Sequence, residues 1–170
     1  TDTVEAIRAA ALMAKRKAGA ERILLVIDYL QIIPSGDNAR EALRERIDMI
    51  LTDLRRLARD LKSPVLVISS QNRSSYKRSP KDGIARPTMS SLKESGGIEY
   101  SADVVICLWK DWKESKHLKF ETKTDQIEAH VLKNRNGEQN KNVKLTFTKA
   151  WSMFDELDER PGDLEEDEDE

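Results

Sequence analysis

The sequence contains a single cysteine, Cys107, which excludes an internal disulfide and a multi-thiolate zinc site. Cys107 lies in the apolar run 104–109, where a small buried core residue is the plainest role for it. Histidine is nearly as scarce. His117 and His130 stand alone, so no metal site and no Ser-His-Asp or Cys-His arrangement can be built on them, and His130 reads as a packed or edge strand residue. No apolar run approaches the length of a bilayer span and no signal-peptide pattern is present, so no membrane partner is expected. Internal repeats are lacking as well.

What the chain has in quantity is charge, 35% of its residues against 38% apolar, a balance that suits a cytosol-like globular protein. Its 170 residues are enough for one compact domain with a real core and too few for two. A net charge of −2 argues against a nucleic-acid binder, but the average misleads. Residues 161–170 hold seven carboxylates and no base, so the remainder is net positive. Residues 156–170 read as an acidic, disordered tail with almost nothing apolar to bury, and residues 1–155 as the folded part. The chain opens at Thr1 on a helical pattern; that suggests a domain fragment, and a processed N-terminus would look the same.

Asp2 can cap a helix over residues 3–17, with Val4, Ile7, Ala11 and Leu12 on one side and Gly19 as its stop. The run 23–28, apolar until it ends in Asp28, predicts a strand buried on both faces, as in a parallel sheet. A long helix over 39–61 follows, since Leu43, Ile47, Ile50, Leu51, Leu54 and Leu57 recur every three or four residues. Pro64 opens a second buried strand over 65–69. Residues 72–90 hold no regular pattern, a length at which loops usually carry function or disorder. A short helix within 92–100, a third buried strand over 104–109, a charged insertion over 111–125 and strands over 127–132 and 143–148 complete the pattern, and 151–154 ends the fold. Trp109, Trp112 and Trp151 are expected to bury area near strand ends. The layout is α/β, mostly parallel, with antiparallel character toward the C-terminus.

Open α/β sheets bind ligands at the carboxyl ends of their strands. Asp28 ends the first strand there, Ser69-Ser70-Gln71 ends the second, and Lys133 and Arg135 follow the fourth. A carboxylate at the end of an apolar strand suits a magnesium-nucleotide site, because it can hold the ion's water shell while phosphates complete the coordination. An acid that merely caps a strand end is the competing reading on the residues alone.

Order and spacing go further. Ile27-Asp28-Tyr29-Leu30-Gln31-Ile32-Ile33, Ser69-Ser70-Gln71-Asn72-Arg73, 92–99, Ala102-Asp103-Val104-Val105, Lys133-Asn134-Arg135-Asn136-Gly137, 143–147 and 151–154 follow one another as a series. This series resembles the C-terminal, RecA-like ATPase domain of DnaB-type hexameric helicases, over about residues 1–155. The resemblance implies a three-layer RecA-like fold, present here in part, and ATP and Mg2+ as cofactors of the complete domain. It implies that Asp28 is the Walker B aspartate, a magnesium ligand through water. Lys133 and Arg135 resemble the pair inserted into the neighbouring subunit's nucleotide site, Arg135 as an arginine finger. Residues i and i+2 of an extended segment point the same way, which suits such a pair; a basic turn facing water is the competing reading, and the resemblance makes it the weaker one.

Lys93, Glu94 and Gly96 resemble the loop that contacts the backbone of single-stranded DNA, where a glycine lets main-chain N–H groups approach phosphate closely. Arg73 and the other bases of 77–86 can add sequence-independent phosphate attraction, or simply form a solvated loop; Tyr76 is the one aromatic there, so base stacking is not strongly indicated. The parent implied is a motor that unwinds DNA 5′ to 3′ as a ring of identical subunits at a bacterial or phage-encoded cytoplasmic replisome, with primase or a helicase loader as protein partners.

Two departures stand out. The sequence contains no G-x-x-x-x-G-K-[ST], the loop that would cradle the phosphates, and the family's catalytic glutamate falls upstream of the matching segment, so this polypeptide alone is not expected to hydrolyse ATP. The family's phosphate-sensing glutamine should stand where Ser70 is, and Gln71 comes one residue late. A one-residue slip on an extended strand reverses the face. Either the chain bulges, or Ser70 takes the contact, or the sensor is weakened. A RecA-like module that binds DNA or a replication partner without turnover is the rival reading.

Overall fold

The computed structural model describes residues 3–34, 43–70, 78–79, 83–84, 87–89, 96–110 and 124–156. They fall into two compact units, Thr1–Ser75 with Thr88–Ala102 and Tyr76–Pro87 with Asp103–Glu170.

In the first unit α1 (Val4–Lys17) is capped by Thr3, whose hydroxyl accepts from the Ala6 N–H at 3.3 Å. Thr3 therefore does the capping expected of Asp2, because the helix begins at Val4 and the N-cap is the residue just before it. Gly19 ends the helix at φ +59°, with the Ala20 N–H donating to the Lys15 carbonyl and the Gly19 N–H to that of Arg16. β1 (Leu25–Asp28) pairs in parallel with β2 (Val65–Ile68), in the register Leu25↔Val65 to Asp28↔Ile68. Between them runs α2 (Leu43–Leu61), which buries Ile47, Ile50, Leu51, Leu54, Leu57 and Leu61 on one stripe. Val4 and Ala11 of α1, Ile27 of β1, and Leu30 and Ile33 just beyond it complete this core. Each fully buried aliphatic side chain contributes roughly 1.5–3 kcal/mol.

Burial of both strand faces is not observed. Leu25, Ile27, Val65 and Val67 pack on the helical core, while Val26 is 53%, Leu66 54% and Ile68 46% exposed. Side chains alternate along a strand, and α1 and α2 cover one face of the pair.

In the second unit β3 (Arg78–Ser79) and β4 (Gly83–Ile84) form a short antiparallel pair within a stretch expected to be irregular. β5 (Val104–Trp109), β6 (Thr124–Asn134), β7 (Asn142–Thr148) and β8 (Met153–Glu156) make an antiparallel sheet in sequence order. β5 also differs from the expected doubly buried strand: Cys107 and Trp109 are buried, whereas Val104, Ile106 and Leu108 are at least half exposed. Trp109 meets the buried His130 edge-on, ring centroids 5.9 Å apart, so His130 is a packed strand residue. Trp151 is 74% exposed, contrary to expectation, because it sits on the turn between β7 and β8 rather than in a strand. Asp125, placed by its charged surroundings in an insertion, belongs to β6 and is held between Lys110 at 2.8 Å and Lys149 at 2.9 Å. Partial burial raises its pKa, but the two ammonium groups outweigh that and the net shift is downward.

The chain is thus α/β, parallel early and antiparallel toward the C-terminus, in keeping with the sequence pattern; among the described strands the antiparallel part is the larger. No helix among the described residues is long and apolar enough to cross a membrane.

Candidate functional site

Asp28 is the last residue of β1, with its side chain exposed. The buried Ile27 precedes it, and a single 3-10 turn, Leu30–Ile32, follows. Leu30 (1% exposed) and Ile33 (4%) pin that turn into the core, so Asp28 and the half-open Tyr29 are held at its rim. The Asp28–Tyr29 peptide is cis. No described residue forms a hydrogen bond or ion pair with the Asp28 carboxylate, which fits a group that meets a hydrated cation. No cluster of three or more metal-ligating side chains exists among the described residues. Magnesium needs none, because one carboxylate with waters and phosphates suffices.

Beside Asp28, β2 ends at Ile68 and the chain leaves through Ser69 and Ser70. Gln31, from the 3-10 turn, reaches across to this exit. Its Nε2 donates to Ser69 Oγ at 3.0 Å and to the Ser70 carbonyl at 3.2 Å, and its Oε1 accepts from the Ser70 N–H at 3.3 Å. Arg46 of α2 in turn donates to the Gln31 carbonyl at 3.4 Å. Asp28 and Ser70 therefore leave adjacent strand ends tied together by one amide. Gln71, Arg73, Lys93 and Glu94 lie outside the described residues.

Gly96, the last of the three residues that resemble a DNA-contacting loop, opens α3 (Gly96–Ser101). The Gly97 N–H donates to Asp48 Oδ1 of α2 at 3.0 Å, and a Cβ on Gly97 would lie 3.0 Å from Asp48 Cγ and 3.2 Å from Leu51 Cδ1. The absent side chain at Gly97 is what permits this docking.

Lys133 and Arg135 belong to the second unit. Lys133 is inside β6, not beyond it. Its partner is Val105, whereas Val131 pairs with Ile106, so Leu132 is an extra residue on β6 and the strand carries a bulge there. A bulge re-aims the side chains that follow it. The Arg135 N–H donates to the Asp103 carbonyl at 2.9 Å, and its guanidinium pairs with the Asp103 carboxylate. Asn134 Oδ1 accepts from the Asn136 N–H at 3.3 Å, and a Cβ on Gly137 would come within 2.6 Å of Asn134 Nδ2, so a side chain at 137 would have to displace the Asn134 amide.

A family model described as the DnaB-like helicase C terminal domain matches residues 1–156. The chain belongs to this family. The DnaB-like chain is 35% identical over 157 residues to the replicative DNA helicase DnaB of Geobacillus stearothermophilus, covering 92% of itself and 32% of that protein. Replicative DNA helicase DnaC of Bacillus subtilis is also 35% identical, with the same coverage. The chain therefore spans about a third of the length of the curated relatives it matches. Among solved structures, one of an ATPase domain matches with TM-score 0.77 and 29% identity over 92% of this chain and 52% of that one. A DnaB-like replicative helicase, solved with attention to its interactions with primase, matches with TM-score 0.78 and 30% identity over 92% of this chain and 36% of that one. The mixed α/β fold is that of the RecA-like ATPase domains of DnaB-like helicases.

Gln31, Asp48 and Gly97 have contacts that sequence reasoning missed. Gln31 stands in one of the motifs of the series, but its partners are 38 and 39 residues away, and nothing local announces them.

Proposed function

We propose that this chain is the later part of the motor domain of an ATP-dependent replicative DNA helicase that works as a ring, with nucleotide held between neighbouring subunits. The observation that carries the reading is the exposed Asp28 carboxylate, bonded to no described residue, at the carboxyl end of a parallel strand in a DnaB-like helicase C-terminal domain. Magnesium and ATP, when bound, supply the phosphoryl group and the cation that spreads its charge. Asp28 would hold the ion's water shell. Ser70, or Gln71 after it, would contact the terminal phosphate. Lys133 and Arg135 would serve the neighbouring subunit's site and neutralise charge developing there. Arg73 and the segment with Lys93, Glu94 and Gly96 would lie along the backbone of single-stranded DNA. Primase, which interacts with one solved relative, is the protein partner class we assign.

Because no G-x-x-x-x-G-K-[ST] occurs in the 170 residues, the chain by itself is inactive as an ATPase in this reading. The test has two arms. The full-length protein carrying this chain is expected to hydrolyse ATP with magnesium and unwind duplex DNA, and Asp28→Asn to abolish both. The 170-residue chain alone is expected to release no phosphate above background. A full-length protein that binds single-stranded DNA without turnover would move the assignment to a non-motor binding module.

A further inference from the structure

Gln31 stands outside the chemistry proposed above, yet both ends of its side-chain amide are bonded. An amide offers two N–H donors and an oxygen acceptor with two lone pairs. Here the acceptor takes the Ser70 N–H while the donor nitrogen serves both the Ser70 carbonyl and Ser69 Oγ. Pairing with the N–H and the C=O of one residue is what a neighbouring strand does in a sheet ladder. The β1–β2 ladder stops at Asp28↔Ile68, because the chain after Asp28 turns into the 3-10 helix and no longer runs beside β2. Gln31 replaces the missing strand and holds the residue two places beyond the last pair.

Two features make this a rigid hold. The turn that carries Gln31 is fastened by the buried Leu30 and Ile33, and its carbonyl receives Arg46 from α2. On the other side, both main-chain groups of Ser70 are bound, while its side chain is exposed and its hydroxyl is bonded to no described residue.

We infer that Gln31 is the positioning residue of the phosphate-sensing segment: it fixes the main chain of Ser70 beside Asp28 so that the exit from β2 keeps one geometry toward the terminal phosphate. The inference rests on the site reading given under the proposed function. It also bears on the one-residue shift of the glutamine, since a clamped residue 70 leaves its own hydroxyl as the group held in place.

The test uses the full-length helicase with ATP, magnesium and a thymidine-only single strand. Gln31→Met keeps the volume and removes all three hydrogen bonds. It is expected to lower kcat at least about tenfold while leaving the KM for ATP within about twofold, the pattern of a contact made in the transition state. Ser69→Ala removes one of the three bonds and is expected to cost less than about threefold. Gln31→Glu gives a signature that a packing role does not. Its ionised carboxylate can accept from the Ser70 N–H but opposes the Ser70 carbonyl, and protonation restores a donor. The ratio of its kcat to wild type is therefore expected to rise as pH falls from about 7 to about 5, where a carboxyl with the ordinary glutamate pKa of about 4.3 begins to bind a proton. Wild-type kcat in Gln31→Met overturns the inference. Should Gln31→Met fold poorly, a Gln31→Glu ratio that does not change with pH overturns it instead. Asp28→Asn separates the two levels: if it turns over like wild type the site reading itself fails, and if it is dead while Gln31→Met is normal only the positioning role falls.

Discussion

Arg135 is bound to Asp103 twice, through its main-chain N–H to the Asp103 carbonyl at 2.9 Å and through its guanidinium to the Asp103 carboxylate. The main-chain bond continues the β5–β6 ladder one step past Val104↔Asn134 and fixes where the arginine starts. The side-chain pair is open to solvent, with 41% of the arginine and 65% of the aspartate side chain exposed. Such a pair is worth only about 0–1 kcal/mol, so a phosphate oxygen of higher charge can take the guanidinium from it.

Arg135→Ala in the full-length protein is accordingly expected to cut turnover by about 10³-fold or more while nucleotide binding is largely kept. Mixing Arg135→Ala with Asp28→Asn subunits should restore part of the activity, because some interfaces then combine an intact Asp28 with an intact Arg135. Steady-state phosphate release on mixed rings reads this out. No recovery despite proven subunit exchange would show that Arg135 does not act in trans.

Lys93→Ala is expected to weaken single-stranded DNA binding about equally for different base compositions. Removing one phosphate contact lowers the slope of log affinity against log salt by roughly 0.7 for a single strand. Titrations on the assembled ring over a range of salt concentrations measure it. An unchanged slope, or a weakening confined to one base composition, rejects a backbone contact.

Gly97→Ala forces a methyl group onto the Asp48 carboxylate and Leu51, so either Asp48 turns away and gives up the Gly97 N–H or α3 shifts from α2. Overpacking of this kind costs about 1–3 kcal/mol. Asp48→Ala removes the partner of the Gly97 N–H and is expected to cost about 1 kcal/mol, as for a lost helix cap. Thermal unfolding compares them, and the double mutant should cost less than the sum because the alanine at 48 vacates the space. Strict additivity would show that the two sites are not coupled.

Asp125 links stability to pH. Its pKa is depressed in the folded chain by Lys110 and Lys149, against the opposing effect of burial. A depressed carboxylate pKa contributes stability that is fully present above the unfolded value and is lost as pH falls through the folded one. Asp125→Asn is expected to destabilise by about 1–2 kcal/mol at neutral pH, discounted because Lys149 is 55% exposed. The difference from wild type should shrink in acid. A gap in melting temperature that stays constant from neutral pH down to about pH 3 argues that the ion pairs are not its source.

Much of the first unit was legible because its signals are local. The three- and four-residue spacing of Ile47, Ile50, Leu54, Leu57 and Leu61 sets which face of α2 is buried, whatever it packs on. The apolar run ending in Asp28 placed that carboxylate at a strand end, and the ordered series of motifs identified the family. Other features had no local signal. Val26 and Leu66 are as apolar as Ile27 and Val67, and only the helices packed on one side of the strand pair make one set core and the other surface. Asp125 reads as one more charge in a polar stretch until the fold brings Lys110 and Lys149 to it.

By itself the sequence determined α1 to α3, the strands β1, β2 and β5 to β7, their order and the chemical types available at the strand ends, because propensity and periodicity act over a few residues; β3, β4 and β8 had no such signal. Only the tertiary structure decided that Gln31 grips Ser70, that Asp48 holds Gly97 and that Asp103 holds Arg135. Each of those bonds joins residues 32 to 49 positions apart. Hydrogen bonds depend on distances of a few tenths of an ångström, and such distances exist only once the core has fixed where the turns and strand ends lie.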